Sequence, residues 1–191
     1  MKKFFCLHGL PRAGNTLLGS IINQNPKIAV TANSIIADML GELYTLQNTD
    51  IFKNFPDHKS FDNVTKSLIQ TYYKDWPQDY IIDRNPWGLP INLKYLKKVQ
   101  DEIKIIVLVR DVEEILASFV KWSKREPTSF VNRYAAKTVE EKCDMLMNKD
   151  GQIVKELIGV KHLLDHQPRD IYHIVEYNDL CDNPKQTIEG I

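Results

Sequence analysis

A chain of 191 residues with an apolar share of 43% is long and apolar enough to bury a core, which excludes wholesale disorder. Its 25 basic and 25 acidic residues cancel, so no global field draws it to nucleic acid or to an anionic membrane, and neither partner is expected. Any anion site has to be assembled locally.

Cys6, Cys143 and Cys181 are scattered and lack C-x-x-C spacing. Neither a disulfide framework nor a zinc site is expected; reduced thiols in a cytoplasmic setting fit better. The start MKKFFCLHGLPRAGN superficially resembles a secretory leader. Its apolar run is too short, and Pro11, Arg12 and Gly14 interrupt it, so it reads as a first strand. No stretch approaches the roughly 20 apolar residues of a membrane span. With no internal repeat and no Gly/Ser linker, residues 1–191 are expected to form a single domain.

In chain order, the first strand covers 3–7, and a helix opens near Asn15 with Leu17, Leu18, Ile21 and Ile22 on one face. A weaker strand follows at 28–31, then helices at 34–47 and 60–74. Residues 80–82 make a short strand and 89–99 a helix. Residues 104–109, KIIVLV, are apolar on both faces, as a central parallel strand should be. Asp111 and Glu114 then form a D-x-x-E capping pattern ahead of a helix carrying Ile115, Leu116, Phe119 and Val120. Helices at 135–147 and 151–165 and a strand at 171–175 complete the series. This alternation predicts a three-layer α/β/α architecture around a parallel sheet, like that of the P-loop NTPases. Ligands of such sheets bind at the carboxyl ends of the strands, where the chemistry is to be sought.

The first such end is Gly9-Leu-Pro-Arg-Ala-Gly14-Asn15-Thr16, between strand and helix. It has the G-x-x-x-x-G spacing of a phosphate loop, with asparagine where the Walker lysine would stand. Successive backbone N–H groups and the positive helix end make such a turn an anion cradle. Arg12 adds a forked cation, Gly14 allows close backbone approach and Thr16 offers a hydroxyl. Without the lysine, an ATPase or kinase would lack its main contact to the β- and γ-phosphates.

FFCLHGLPRAGNTLLGSIINQNP resembles the 5′-phosphosulfate loop of the sulfotransferases, commonly G-x-P-[RK]-S-G-[ST]-T. That resemblance implies that Arg12, Ala13, Gly14, Asn15, Thr16 and Leu17 hold the 5′ end of 3′-phosphoadenosine 5′-phosphosulfate without a metal. Ala13 and Asn15 depart from the usual hydroxyl residues, although an asparagine amide can still donate. At the second strand end, Arg110 and Ser118 match the spacing of the family's 3′-phosphate grip. IYHIVEYNDLCDNPKQTI is similar to a structural stretch near the family's carboxyl end. The family commonly continues with a further helix and a basic loop over the nucleotide. Ending at Ile191, the chain is expected to be a minimal or shortened form.

Sulfuryl transfer asks for in-line positioning, a cation on the leaving phosphate oxygen and a base for the acceptor proton. Arg12 is the candidate cation, assisted by Arg84 in DRNP, which is similar to the family's D-K-[ST]-P. For the base the resemblance points to Asn33, where related enzymes carry glutamate, and asparagine cannot serve. Asn33 or Ser34 is left to orient the acceptor, Asp83 is the nearest carboxylate, and His8 is a further candidate. His58, His162, His166 and His173 lack metal or triad spacing. Trp76, Trp87, Trp122, Tyr72 and Tyr73 are expected mainly as packing residues, with the lining of an acceptor or adenine pocket as the alternative. KWSKREPTSFVNR, broken by Pro127, is expected as a solvated basic face.

The expected function is metal-independent sulfuryl transfer from that donor to a hydroxyl or amine of a small-molecule, saccharide or peptide acceptor, leaving adenosine 3′,5′-bisphosphate. Two alternatives stay open: a P-loop kinase using YIID as a Walker-B-like strand, and a sulfonucleotide-binding module without catalysis. The sequence names neither the acceptor nor an oligomeric state.

Overall fold

The computed structural model describes residues 2–133 and 136–191. Among these, five strands form one parallel sheet: β1 (Lys3–Gly9), β2 (Ile28–Val30), β3 (Tyr80–Arg84), β4 (Ile105–Val109) and β5 (Tyr172–Glu176), in the order β2-β3-β1-β4-β5. Each strand matches an expected one. Three run further, β1 to Gly9, β3 to Arg84 and β5, by one residue, to Glu176. The register pairs Cys6 with Asp83 and Leu7 with Arg84, so ladder bonds carry polar residues that the apolar pattern could not include. In β4, Ile105, Ile106, Val107 and Leu108 are all buried, as a strand covered on both faces requires.

The helices are α1 (Asn15–Ile22), α2 (Ile36–Leu46), α3 (Asp50–Asn54), α4 (His58–Tyr72), α5 (Pro90–Val99), α6 (Val112–Arg125), α7 (Phe130–Arg133), α8 (Val139–Met147), α9 (Gln152–His166), α10 (Tyr177–Asp182) and α11 (Pro184–Glu189). The helix expected from 135 starts at Val139, where Thr138 and Glu141 form a reciprocal capping box; residue 135 itself lies outside the described residues. The short α3, α7, α10 and α11 had no periodic signal of their own. The basic stretch KWSKREPTSFVNR folds as the end of α6 and as α7, with Phe130 packed on Phe119 and Trp122. It is therefore not simply a solvated face. On α1, Leu18 and Ile22 enter the core, while Leu17 stays 40% exposed.

Among the described residues no helix is long and apolar enough to cross a membrane. A mostly apolar depression of about 640 Å³ is lined by Phe5, Ile28, Tyr80, Lys104 and Tyr172. Several of these open their strands, so it sits away from the carboxyl ends.

Candidate active site

The turn after β1 is wound tightly. Leu10 N–H extends the ladder to Leu108 O, and Leu10 O then accepts from Ala13 N–H at 3.2 Å and from Asn15 Nδ2 at 2.8 Å. Two residues hold positive φ, Arg12 at 62° and Gly14 at 92°. For arginine this is a strained backbone, held by the surrounding contacts. A Cβ on Gly14 would stand 2.6 Å from the Tyr177 ring, so the space the glycine leaves is taken by that ring. Gly14 N-caps α1 without any side-chain cap, leaving the first amides of the helix available to an anion.

Two expectations for this loop are corrected. Ala13 is fully buried, with its N–H committed to Leu10 O, so it faces no ligand. Asn15 lines the cleft, but it is buried and its amide nitrogen is turned inward to Leu10 O, so that donor is already engaged. Thr16 and Leu17 do line the cleft above α1, along with Arg12 and Gly14.

Arg12 reaches towards α6, where its Nε donates to Ser118 Oγ at 3.2 Å and its guanidinium lies 5.7 Å from the centre of the Trp122 ring. Arg110, just past β4, lies 3.9 Å over the ring of Tyr177. It donates from Nε to Glu114 Oε2 at 2.8 Å and from one terminal nitrogen to Arg12 O at 3.1 Å. The strand-end arginine therefore also braces the phosphate-type loop. Asp111 caps α6 by accepting from Glu113 N and Glu114 N, as its position predicted. The expected reciprocal bond from Glu114 is absent, because that side chain is paired with Arg110.

At the end of β3, Arg84 lines the same cleft and donates to Ala32 O at 2.9 Å. Burial holds its pKa below the ordinary guanidinium value, an effect that nearby Glu156 opposes. Arg84 makes no ion pair with Asp83. Asp83 is fully buried and accepts from Tyr73 Oη, from Asn85 Nδ2 at 2.7 Å and from Trp87 Nε1 at 2.8 Å. With its oxygens so engaged and no surface open to the cleft, Asp83 is a structural acceptor, which corrects its candidacy as base. Asn33 is exposed and lines the cleft, whereas Ser34 Oγ accepts from Asn85 Nδ2 and Ile36 N. His8 is fully buried, and burial lowers its pKa to about 4, so it meets no acceptor directly.

These parts enclose a cleft of about 580 Å³ that brings Arg12, Arg84, Arg110, Asn33 and Ser118 together. Its described lining holds three arginines and no acidic side chain, a local cationic field in a chain of zero net charge. Tyr177, Gln152 and Phe130 also line it and were not singled out from the sequence; Trp122, expected as a packing residue, belongs here too. Trp87 and Tyr73 are core residues, as expected. Among the described residues no three His, Cys, Asp or Glu side chains gather as a metal site.

The fold is a parallel α/β/α sheet with a lysine-free P-loop-type turn and a cleft lined by three arginines at its strand ends. A sequence profile of the sulfotransferase family matches residues 5–191, and the chain belongs to that family of enzymes. No curated protein sequence matches it. Several solved structures share its fold. The sulfotransferase domain of the Synechococcus PCC 7002 olefin synthase is similar at 16% identity and TM-score 0.63, over 100% of this chain and 71% of that one. The sulfotransferase domain of the curacin biosynthetic pathway is similar at 18% identity and TM-score 0.63, over 99% and 71%. A mouse sulfotransferase complexed with PAP is similar at 17% identity and TM-score 0.59, over 100% and 56%.

Proposed function

We propose that the cleft binds 3′-phosphoadenosine 5′-phosphosulfate and passes its sulfuryl group, without a metal, to a hydroxyl or amine of a small-molecule, saccharide or peptide acceptor. The observation that carries this is the meeting of two separate basic grips in one cleft. Arg12 and the uncapped first turn of α1 stand at the end of β1, and Arg110 stands at the end of neighbouring β4. A ligand with phosphate groups at both ends of a nucleoside would engage both strand ends. The mouse neighbour solved with PAP supports the donor class.

In this scheme the loop amides and Arg12 hold the 5′-phosphosulfate, and Arg110 with Ser118 holds the 3′-phosphate. Arg12 and Arg84 neutralise charge on the leaving phosphate oxygen, in a site where fixed donors need no reorganisation. Asn33 orients the acceptor from the β3 side. The three free thiols, Cys6, Cys143 and Cys181, support a reducing, cytoplasmic location.

The 3′-phosphate assignment is tested by titrating adenosine 3′,5′-bisphosphate and adenosine 5′-phosphate into wild type and Arg110→Ala. Loss of a charge-assisted contact of about 1.5–3 kcal/mol should weaken the bisphosphate about 10- to 100-fold. The 5′-phosphate should weaken far less, through the lost brace on Arg12 O alone. Equal losses for both ligands would remove Arg110 from the 3′-phosphate.

A further inference from the structure

With asparagine at position 33, the cleft still needs a group to take the acceptor's proton, and a carboxyl group lies behind Arg84. Glu156 stands on α9, one turn beyond Gln152, which lines the cleft. Its Oε2 is 3.4 Å from His8 Nδ1 at the end of β1, and 20% of its side chain reaches solvent. The helix comes this close because of Gly159. A Cβ there would lie 2.6 Å from His8 Cε1 and 3.1 Å from Leu89 N. Its neighbours His8, in β1, and Arg84, at the end of β3, put Glu156 towards β3, whereas Arg110 follows β4 on the other side of β1. With the nucleotide on the β4 flank, the β3 flank is where an acceptor approaches in line.

We propose that Glu156 is the catalytic base of this sulfotransferase, with His8 as the positioning residue behind it; this rests on the donor assignment above. The ring of His8 fixes the direction of proton flow. Its Nε2 lies 3.1 Å from the carbonyl oxygen of Glu156, an acceptor, a contact that favours the single proton of the neutral ring on Nε2. Nδ1 is then a bare lone pair, buried and without a well-directed partner. A protonated Glu156, its Oε2 3.4 Å away, can donate to it.

In the reaction the Glu156 carboxylate takes the proton of the acceptor O–H as the acceptor oxygen bonds to sulfur. The bond from sulfur to the bridging phosphate oxygen breaks, and its electron pair stays on adenosine 3′,5′-bisphosphate. The new carboxylic acid donates to His8 Nδ1, which stabilises the protonated product of the step. The titratable and charged side chains brought to Glu156 among the described residues are His8 from β1 and Arg84 from β3. Burial raises the Glu156 pKa to about 7, with Arg84 pulling it back, and this suits a base working near neutral pH.

The test compares wild type with Glu156→Gln, scoring donor turnover against a panel of phenol, alcohol, amine and saccharide acceptors with water included. Wild-type kcat should rise through about pH 7 as Glu156 loses its proton. Glu156→Gln should lose about 100-fold or more in kcat and lose that pH limb. Its calorimetric affinity for adenosine 3′,5′-bisphosphate should stay within about twofold, since no donor contact is removed. Independently of turnover, the ¹⁵N spectrum of wild-type His8 should show a protonated Nε2 and an Nδ1 signal that moves through about pH 7; in Glu156→Gln it should not move. A variant with wild-type kcat and pH profile, an Nε2 without its proton, or wild type that binds the bisphosphate yet turns over no acceptor, each overturns the proposal. Failure of wild type to bind the bisphosphate overturns the donor assignment instead.

Discussion

Arg12→Ala should lower sulfuryl transfer about 10²- to 10³-fold, the usual cost of removing one preorganised donor from developing charge. The guanidinium sits where the loop after β1 faces α6, held by Ser118 Oγ at 3.2 Å and backed by Trp122. It is thus pinned before the donor arrives. Alanine keeps the strained φ of 62° but supplies no cation, so the loss falls on chemistry more than on the loop's shape. Arg12→Lys should recover only part of the rate, because an ammonium cannot both hold Ser118 and fork towards a phosphate. Steady-state rates for the three forms check this, and an alanine variant at wild-type rate would remove Arg12 from the reaction.

Asp83→Ala should destabilise the fold by about 2–4 kcal/mol. The side chain is fully buried and gathers Tyr73 from α4's carboxyl end, Asn85 and Trp87 around the end of β3. Deleting it removes the carboxylate that all three share and leaves a void; Asn85 Nδ2 keeps Ser34 Oγ and Trp87 Nε1 keeps the backbone carbonyl of residue 83, so the buried Tyr73 hydroxyl loses most. For a chain of this length that corresponds to roughly a 10 °C fall in melting temperature. Thermal unfolding with transfer rates measured well below the transition separates the roles. A variant that melts like wild type yet has lost transfer would restore Asp83 as a catalytic group.

The pattern of apolar residues made the sheet legible, because a buried parallel strand such as Ile105–Val109 has to be apolar on both faces. The cap of α6 at Asp111 was equally visible, since capping is a local matter. Legibility failed where contacts cross the chain. That β3 runs on through Asp83 and Arg84 follows from pairing with Cys6 and Leu7, which no local pattern records. The Asn15 amide turns to Leu10 O because the loop has its own carbonyl to satisfy, a geometry that the motif's spacing does not reveal. Tyr177 enters the cleft by filling the space over Gly14, and Glu156 meets His8 only once α9 settles on Gly159. Both depend on the packed fold.

The central claim is that this cleft is made for a sulfonucleotide. Isothermal titration of the wild-type protein with adenosine 3′,5′-bisphosphate and with ATP, each with and without magnesium, tests it most directly. The bisphosphate should bind with the same affinity in both conditions, and much more tightly than ATP, for which the loop has no Walker lysine. Tight binding of Mg-ATP with no heat from the bisphosphate would contradict the account.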